Sequence, residues 1–257
     1  MIRLGLVGCG NVGGIICENI DKISGDCVMY VYDRNPEKRN RMSQISNKIK
    51  VCDCVEEMLT LGIDFLIESA SRDFVKNTVA NFLKNGISII SLSNGILVEE
   101  DIRRSLIKSA EEGNSKIYLP GTPPGIDAVL AMKVWGLKSA KYKSLRNLKH
   151  PLAQKFGEGE YFKGNVKQAM EVFKTSLNTS ASLAEASLGY NETEVEVGFH
   201  SYVEGYNLET SVNSEFGKLT VTLEGKLDES SGKFSSLAAV SVIALINKLN
   251  SRIVIGI

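Results

Sequence analysis

A glycine-rich turn near the amino terminus offers the clearest chemistry in the chain. The apolar run 2–7 leads directly into the sequence GCGNVG at residues 8–13, which has the spacing G-x-G-x-x-G. A second apolar run, 27–32, ends at Asp33, twenty residues after Gly13. The order of strand, glycine turn, helix, strand and acid is typical of a site that binds a dinucleotide.

The three glycines have separate physical roles. Gly8 permits the tight turn, Gly10 lets the backbone approach a pyrophosphate closely, and Gly13 lets the helix pack against the strand. The helix begins at Asn11 and Val12, where free N–H groups and partial positive charge suit phosphate. A tight strand-to-helix turn with no ligand is the alternative interpretation.

Two residues after the second strand bear on the choice of cofactor. Asp33 is suited to accept hydrogen bonds from the ribose hydroxyls, which favours NAD. Arg34 beside it could pair with a 2′-phosphate, so the sequence leaves NADP open.

Small and polar residues follow three further predicted strands, at the sheet edge where ligands of parallel sheets bind. They are Ser69, Ala70, Ser71, Ser93, Asn94, Gly121 and Thr122. We predict that they line the cofactor site, although Ser71 is equally suited to cap a helix. The loop 119–128 contains three prolines and two glycines. This loop is suited to bind a substrate carboxylate or to face the nicotinamide, and it is equally suited to act as a rigid hinge between domains.

The first half of the chain alternates between strand and helix patterns. The predicted strands are 2–7, 27–32, 49–52, 63–68, 87–92 and 115–119, and the predicted helices are 11–23, 36–44, 53–61, 72–85, 98–112 and 125–135. Near-continuous apolar strands between amphipathic helices predict a doubly wound α/β parallel sheet, covered on both faces.

The pattern changes after about residue 138. The predicted strands there are 142–148, 159–163, 192–203, 207–214 and 218–224, and the predicted helices are 165–174, 176–188 and 234–249. These elements predict a smaller α+β domain with a mostly antiparallel sheet. We expect a dinucleotide-binding domain over 1–122 and a substrate and dimerisation domain over 123–257, with the helix 234–249 packing back on the first domain.

Composition narrows the class of protein. The 257 residues carry 30 basic and 30 acidic side chains, a balance that gives no net field to attract nucleic acid or an acidic membrane. We interpret the basic residues Lys138, Lys141, Lys143, Arg146 and Lys149 as a solvated face. No apolar run is long enough to span a bilayer, and no metal site is predicted. Five cysteines without zinc or redox spacing predict reduced thiols in a cytoplasmic protein.

Several short motifs follow one another along nearly the whole chain. In the first domain they are GCGNVG at 8–13, ESAS at 68–71, SLSNG at 91–95 and GTPPGIDA at 121–128. In the second they are SLNTSASLA at 176–184, EFGKLTV at 215–221 and SGKFSSLAAVSV at 231–242. Their order resembles the L-aspartate dehydrogenase family. The resemblance implies a Rossmann domain followed by an α+β domain, a homodimer, and interconversion of aspartate with iminoaspartate, or with oxaloacetate and ammonia, using NAD or NADP.

The resemblance also directs attention to the proton carrier. The family has a catalytic histidine before the EFG motif, and counting back from that motif gives Leu208. Because leucine cannot carry a proton, the catalytic candidates are His200 and then His150, each of which also suits a structural or surface role. The residues that we expect to meet the substrate are Gly125, Lys149, Asn178 and Lys233.

Three functions therefore stay open. The first is an NAD(P)-dependent dehydrogenase that acts on a small amino or oxo acid. The second is a non-catalytic NAD(P)-binding paralogue that has lost the acid–base histidine. The third is a dehydrogenase with a different substrate, in which lysine supplies the chemistry.

Overall fold

The computed structural model describes residues 1–120, 123–159, 161–173, 177–226 and 235–256. The chain folds into two structural units. The first unit combines Met1–Pro120 with the segment Ser235–Ile255, and the second unit combines Gly121–Phe234 with Gly256–Ile257.

The first unit is built on a sheet in which every strand pair is parallel. Its strands are β1 (Ile2–Val7), β2 (Cys27–Tyr32), β3 (Ile49–Val51), β4 (Phe65–Glu68), β5 (Ser88–Ser91) and β6 (Ile117–Tyr118). The strand order is β3-β2-β1-β4-β5-β6, so the chain adds strands on one side of β1 and then crosses to the other. This is the doubly wound order, which confirms the predicted fold class.

The helices of the first unit lie between these strands and at its carboxyl end. They are α1 (Asn11–Glu18), α2 (Pro36–Ser43), α3 (Arg72–Phe74), α4 (Ala80–Lys84), α5 (Glu100–Glu112) and α10 (Ser235–Asn250). A π-helical turn, Val75–Val79, joins α3 to α4, so the predicted helix 72–85 forms as one helical segment.

Two helical segments are shorter or tighter than predicted. Helix α1 ends at Glu18, because the Asn19 side chain donates to the carbonyl of Ile15 at 2.8 Å and a 3₁₀ turn follows. Residues 53–61, predicted as a helix, contain only a 3₁₀ turn at Glu56–Leu59. There the Glu57 carboxylate accepts hydrogen bonds from the backbone N–H groups of Asp53 and Cys54, each at 3.3 Å.

Helix α10 packs on α1 and completes the core of the first unit. The apolar side chains that meet there are Ile16, Cys17, Ala239, Val242, Ile243 and Ile246. Fully burying a valine or isoleucine side chain contributes about 1.5–3 kcal/mol. The Asn247 side chain adds two polar contacts, accepting from the Ser24 N–H at 2.8 Å and donating to the Lys22 carbonyl at 2.9 Å.

The second unit is built on a mixed sheet. Its strands are β7 (Leu137–Asn147), β8 (Tyr161–Asn165), β9 (Thr193–His200), β10 (Tyr206–Ser214) and β11 (Lys218–Gly225). The order is β11-β10-β7-β9-β8; β7 and β9 run parallel and the other neighbours antiparallel, as the predicted mostly antiparallel sheet requires. Its helices are α6 (Ile126–Val134), α7 (Ala153–Phe156), α8 (Val166–Phe173) and α9 (Asn178–Ala186). Among the described residues, no helix is long and apolar enough to cross a membrane.

Strand β7 divides its side chains between two environments. It begins at Leu137 rather than at residue 142, and alternate side chains from Ala140 to Arg146 are buried. Arg146 is only 1% exposed, so its interpretation as part of a solvated basic face is wrong. The physical reason is the two-residue period of a strand, which turns Lys141 and Lys143 to the opposite face from Arg146.

Candidate functional site

The glycine turn after β1 has the geometry that each glycine was predicted to provide. Gly8 has a φ of +97°, and a Cβ there would lie 2.6 Å from the carbonyl oxygen of Ser69. A Cβ on Gly13 would overlap the carbonyl oxygen of Gly8. Around Gly10, in contrast, a Cβ would meet no atom within 4 Å. Gly8 and Gly13 are thus required by the fold itself, whereas Gly10 borders open space.

The amino terminus of α1 is not capped by a side chain. Its N-cap residue is Gly10, and its first residues are Asn11 and Val12. The two helices that border the same edge of the sheet differ. Asn35 accepts backbone N–H groups of α2, and Ser71 accepts the Phe74 N–H of α3 at 3.2 Å. An uncapped helix start beside open space is the arrangement in which phosphate oxygens take the place of a side-chain cap.

A cavity of about 420 Å³ opens beside the turn. Its wall includes Gly8 and Gly10 from the turn, Asp33, Arg34 and Lys38 after β2, and Ser69–Ser71 after β4. Seven of the predicted cofactor residues therefore surround one cavity. They are Gly8, Gly10, Asp33, Arg34, Ser69, Ala70 and Ser71.

A larger cavity, of about 830 Å³, lies at the opposite edge of the same sheet. It is lined by residues at the amino ends of the strands, such as Ile2, Phe65 and Ser88. Ligands of doubly wound sheets bind outside the carboxyl ends of the strands. The smaller cavity is therefore the candidate nucleotide site.

The Asp33 carboxylate joins the turn to the start of α2. One oxygen accepts the Cys9 N–H at 2.8 Å, and the other accepts the Asn35 N–H at 2.9 Å. An ionised carboxylate has about four acceptor positions, so Asp33 can still accept a ribose hydroxyl. The open space at Gly10, the uncapped helix and this acceptor together fit a dinucleotide.

The residues after β4 support the turn. The Ser69 hydroxyl lies 2.7 Å from the Gly8 carbonyl oxygen, to which it donates. Ser71 caps α3 through its side chain, as the alternative interpretation of this residue predicts. These two hydroxyls thus fix the wall of the cavity.

Glu68 has a structural role beside the site that its sequence context did not predict. Its side chain is fully buried at the end of β4, and five donors converge on its carboxylate. They are the Ala70 N–H at 2.9 Å, the Ser93 hydroxyl at 2.8 Å, the Ser93 N–H at 3.0 Å, the Ser91 hydroxyl at 3.1 Å and the Leu92 N–H at 3.2 Å. Burial raises the pKa of Glu68, and the hydrogen bonds from Ser93, Ser91 and Ala70 oppose that shift. One carboxylate thus holds together the loops that follow β4 and β5.

The remaining predicted cofactor residues lie elsewhere. Ser93 is joined to the β4 loop through Glu68 and does not line the 420 Å³ cavity. Asn94 follows it, is 3% exposed and begins a 3₁₀ turn. Gly121 and Thr122 lie outside the described residues.

In the second unit, Leu208 lies on the buried face of the sheet. It is 4% exposed and pairs with Ser144 of β7 and Leu223 of β11. His200 ends β9, three residues after Val197, the β7–β9 partner of Ser144. Because side chains alternate along a strand, His200 lies on the opposite face from Leu208, where its ring stacks on Tyr202 at 4.7 Å.

His150 belongs instead to a chain of polar side chains on the Leu208 face. Its Nε2 lies 3.2 Å from Nη1 of Arg146, and the Arg146 Nε donates to the Ser144 hydroxyl at 3.1 Å. The Tyr142 hydroxyl is hydrogen-bonded to the side chains of Ser144 and Thr179. The Leu152 N–H lies 3.2 Å from the His150 Nδ1, so each ring nitrogen of His150 faces an N–H donor.

Burial sets the charge states of this polar chain. It lowers the pKa of Arg146 to about 10 and raises the pKa of Tyr142 to about 12. At neutral pH the guanidinium is therefore charged and the phenol is neutral. A charged, fully buried arginine is costly to desolvate, and buried charges with a shifted pKa cluster at functional sites.

The predicted substrate residues of this unit are spread over several elements. Lys149 is exposed in the turn after β7, and its backbone N–H donates to the Asn147 side chain at 2.8 Å. Asn178 is the first residue of α9, next to Thr179 of the polar chain. Gly125, with a φ of +75°, precedes α6, and a Cβ there would lie 2.8 Å from the Val221 side chain. Lys233 lies outside the described residues.

A doubly wound sheet with a glycine turn, an uncapped helix and an acid after the second strand defines a dinucleotide-binding protein of the dehydrogenase class. Residues 8–120 match the family model described as "Homoserine dehydrogenase, NAD binding domain", and residues 127–249 match "Aspartate dehydrogenase, C-terminal". The chain belongs to the L-aspartate dehydrogenase family, which confirms the resemblance seen in the sequence motifs.

Two relatives illustrate this membership. The L-aspartate dehydrogenase of Methanococcus maripaludis strain C6 is 30% identical over 276 residues, and that of Methanosarcina barkeri is 29% identical over 272 residues. In both comparisons all of this chain and all of the relative are covered.

Solved structures show the same fold. Aspartate dehydrogenase from Thermotoga maritima superposes with a TM-score of 0.80 at 19% identity, and each chain is covered completely. The WlbA dehydrogenase of Bordetella pertussis, in complex with NADH and UDP-GlcNAcA, gives a TM-score of 0.59 at 14% identity, with 96% of this chain and 85% of that chain covered.

Proposed function

We propose that the chain is an NAD(P)-dependent dehydrogenase that acts on a small amino or oxo acid of the aspartate type. The observation that carries the proposal is the glycine turn with its uncapped helix and Asp33, in a chain that matches L-aspartate dehydrogenases over its full length. When bound, the nicotinamide supplies hydride chemistry.

The cofactor is held mainly by backbone groups. The N–H groups of Asn11 and Val12 at the start of α1 bind the pyrophosphate, and Gly10 leaves room for it. Asp33 accepts a ribose hydroxyl. Ser93 acts on this site through Glu68 rather than by lining the cavity, and Asn94, Gly121 and Thr122 stay predicted cofactor residues.

The substrate is a carboxylate, so cationic and amide side chains suit it. We assign its binding to Lys149, Asn178, Lys233 and the backbone at Gly125. Lys149 supports this assignment because it is exposed and its ammonium can pair with a carboxylate.

Oxidation of an amino acid requires that a proton leave the amine, and hydrolysis of the imine requires a proton carrier. We assign that role to His150. The support for His150 is its 3.2 Å contact with Arg146 on the face that carries Leu208, whereas His200 lies on the other face of the sheet. His200 is the second candidate.

A specific observation also favours a non-catalytic function. Leu208, at the position where the family resemblance expects the acid–base histidine, is 4% exposed and packs as an ordinary core residue between Ser144 and Leu223. A paralogue that binds NAD(P) without turnover would have the same cofactor cavity.

One pair of assays tests these functions. Fluorescence titration with NADH and NADPH measures binding, and nicotinamide absorbance with oxaloacetate plus ammonia measures turnover. Binding with turnover supports the enzyme, and a His150→Gln variant should then lose most of the rate. Binding with turnover only on another oxo acid indicates a different substrate, and binding without any turnover indicates the paralogue. No binding of either nucleotide contradicts all of these functions.

We further propose that the chain works as a homodimer in the cytoplasm. The family resemblance supports the homodimer. The five cysteines are all free thiols, four of them buried, which suits a reducing compartment. Light scattering after size-exclusion chromatography measures the mass, which should be twice the 28.1 kDa of one chain.

A further inference from the structure

We propose that two copies of this chain join the sheets of their second units edge to edge through strand β11, with the two-fold axis at Val221. The inference rests on the proposed homodimer and adds the surface, the alignment and the residues through which the two copies meet. Strand β11 ends the strand order of its sheet, so among the described residues no strand pairs with its outer edge.

Strand β11 lacks the shortness, the proline and the bulge that commonly protect an edge strand. It is 8 residues long, contains no proline, and pairs with β10 in an unbroken register from Lys218 to Gly225. Natural proteins shorten, bend or interrupt such edges because the open backbone groups recruit another strand. A long and regular edge is therefore suited to the addition of a strand.

The hairpin turn determines which backbone groups of β11 point outward. Ser214 and Gly217 exchange backbone hydrogen bonds there, at 2.9 and 3.2 Å. Because antiparallel partners alternate between hydrogen-bonded and non-hydrogen-bonded pairs, the odd-numbered residues from Leu219 to Gly225 are the ones that bond β10. The N–H and C=O groups of the even-numbered residues therefore point away from β10. They are those of Lys218, Thr220, Thr222 and Glu224.

The sequence of β11 is nearly the same in both directions. Residues 218–224 are KLTVTLE, with Val221 at the centre. When two antiparallel copies meet at Val221, each even-numbered residue faces an even-numbered residue of the partner subunit. Their outward N–H and C=O groups can then exchange hydrogen bonds. The backbone and the side-chain sequence thus select the same alignment.

Polar side chains match across this axis on the exposed face of the strand. Lys218 faces the partner's Glu224, and Thr220 faces the partner's Thr222. Opposite charges and paired threonines are favourable cross-strand neighbours, and the symmetry makes each contact twice. The Glu224 carboxylate also accepts the Asn207 side-chain N–H at 3.3 Å, which leaves acceptor positions for a lysine.

Apolar side chains match on the other face. Leu219 faces the partner's Leu223, and Val221 faces the partner's Val221. These side chains are half-buried in a single chain, so the pairing removes further apolar surface from water.

Other alignments fit less well. A shift by two residues is the smallest that keeps the outward backbone groups opposite one another. In one direction this shift places Lys218 opposite the partner's Lys226, and like charges directly opposite are destabilising. In the other direction it places Lys218 opposite the partner's Thr222, so the charge pair is lost. Self-complementarity is therefore specific to the axis at Val221.

A disulfide tests the axis directly. We place Val221→Cys in a Cys54→Ser background, because Cys54 is the exposed cysteine of the native chain. At the axis this residue faces its own copy in a non-hydrogen-bonded pair, with Cα atoms about 4.5 Å apart, a distance that a disulfide can span. The matched control is Lys163→Cys in the same background, exposed on β8 at the opposite edge of the sheet. Mild oxidation should double the mass of the first protein on a non-reducing gel and leave the control unlinked.

A charge swap tests the alignment without a new cysteine. Lys218→Glu places two carboxylates opposite each other at both ends of the paired strands, and Lys218→Glu/Glu224→Lys restores opposite charges. Analytical ultracentrifugation measures the dissociation constant of the full-length dimer, and thermal melting verifies that each variant is folded. We expect Lys218→Glu to raise this constant by about tenfold or more and the double variant to return it to within about threefold. The control Lys167→Glu, on the exposed side of α8, should leave it unchanged.

The inference is overturned if a folded, dimeric Val221→Cys protein forms no cross-link, or if Lys218→Glu leaves the dissociation constant of the dimer unchanged. The proposed homodimer then stands with a different interface. A chain that is monomeric at every concentration measured overturns both. The proposed dehydrogenase activity is tested separately, by the NADH titration and the turnover assay.

Discussion

The buried Glu68 allows a quantitative test of how the cofactor loops are held. Replacing it by glutamine keeps the shape of the side chain but turns one of two acceptor oxygens into a donor. In the lower-cost orientation of the glutamine, its amide nitrogen takes the place of the Glu68 Oε1. That oxygen accepts the Ala70 N–H and the Ser93 hydroxyl. The hydroxyl can rotate and accept, whereas the Ala70 N–H is left facing a donor. The opposite orientation would leave the Ser93 N–H without an acceptor and would cost the Leu92 N–H one of its two acceptors, the other being the Glu68 carbonyl at 3.1 Å.

One orphaned buried N–H costs about 1–3 kcal/mol. For a chain of this length, each kcal/mol shifts the melting temperature by about 2–4 °C. We therefore expect Glu68→Gln to lower the melting temperature by about 2–12 °C. The same variant should speed amide hydrogen exchange in peptides that cover residues 66–71 and 90–95, because the two loops lose their shared anchor.

Glu56→Gln is the matched control, since Glu56 is exposed in the same unit. That variant should change the free energy of unfolding by less than about 0.5 kcal/mol. The reasoning would be refuted if Glu68→Gln melted at the same temperature as the unmodified protein and both peptides exchanged at unchanged rates.

Three further predictions concern other parts of the chain. Gly13→Ala should destabilise the first unit by more than about 2 kcal/mol in urea unfolding, because the new methyl group overlaps the Gly8 carbonyl; an unchanged midpoint would contradict this packing. A thiol reagent should label one cysteine quickly in the folded protein, and Cys54→Ser should remove that label, because only Cys54 is exposed among the five. Burial acts to raise the pKa of Glu196, but the Lys141 ammonium, 2.9 Å from the Glu196 carboxylate, outweighs it, and the pKa is lowered. This pairing stabilises the fold at pH values above the ordinary pKa of glutamate. The stabilisation is lost as the pH falls through the lowered pKa of Glu196. Glu196→Gln should therefore cost up to about 1 kcal/mol at pH 7 and less at pH 3 in urea titrations. An equal cost at both values would disprove the assignment.

Much of the first unit could be predicted from its sequence because the constraints there are local. The spacing GCGNVG, the apolar runs on either side and Asp33 each limit the backbone near their own position, and the parallel sheet follows from them. The predicted bounds of β1 and β2 agree with the observed strands.

Glu68 illustrates what local patterns do not reveal. Its sequence context, ESAS, draws attention to the small residues after the strand. Its role depends on Ser91 and Ser93, more than twenty residues away along the chain, which come close only when β4 pairs with β5. A carboxylate at a strand end that has hydroxyls on the next strand end is the signal that could have found it.

Arg146 was missed for a different reason. Lysines alternate with small or aromatic residues before Arg146. With a strand predicted to begin only at residue 142, this run of basic residues was interpreted as a solvated face. The observed start at Leu137 makes the buried set continuous from Ala140 to Arg146. The polar chain with His150 then depends on tertiary contacts that a single sequence does not encode locally.

The central claim is that the turn after β1 binds the pyrophosphate of a nicotinamide dinucleotide. Gly10 tests it most directly, because its φ of −78° suits any residue and a Cβ there would meet no atom within 4 Å. Gly10→Val should therefore keep the melting temperature of the unmodified protein while its side chain fills the space of the pyrophosphate. The decisive measurement is the dissociation constant of NADH for this variant. We predict that it rises by about a hundredfold or more, and an unchanged value in a folded variant would contradict the account.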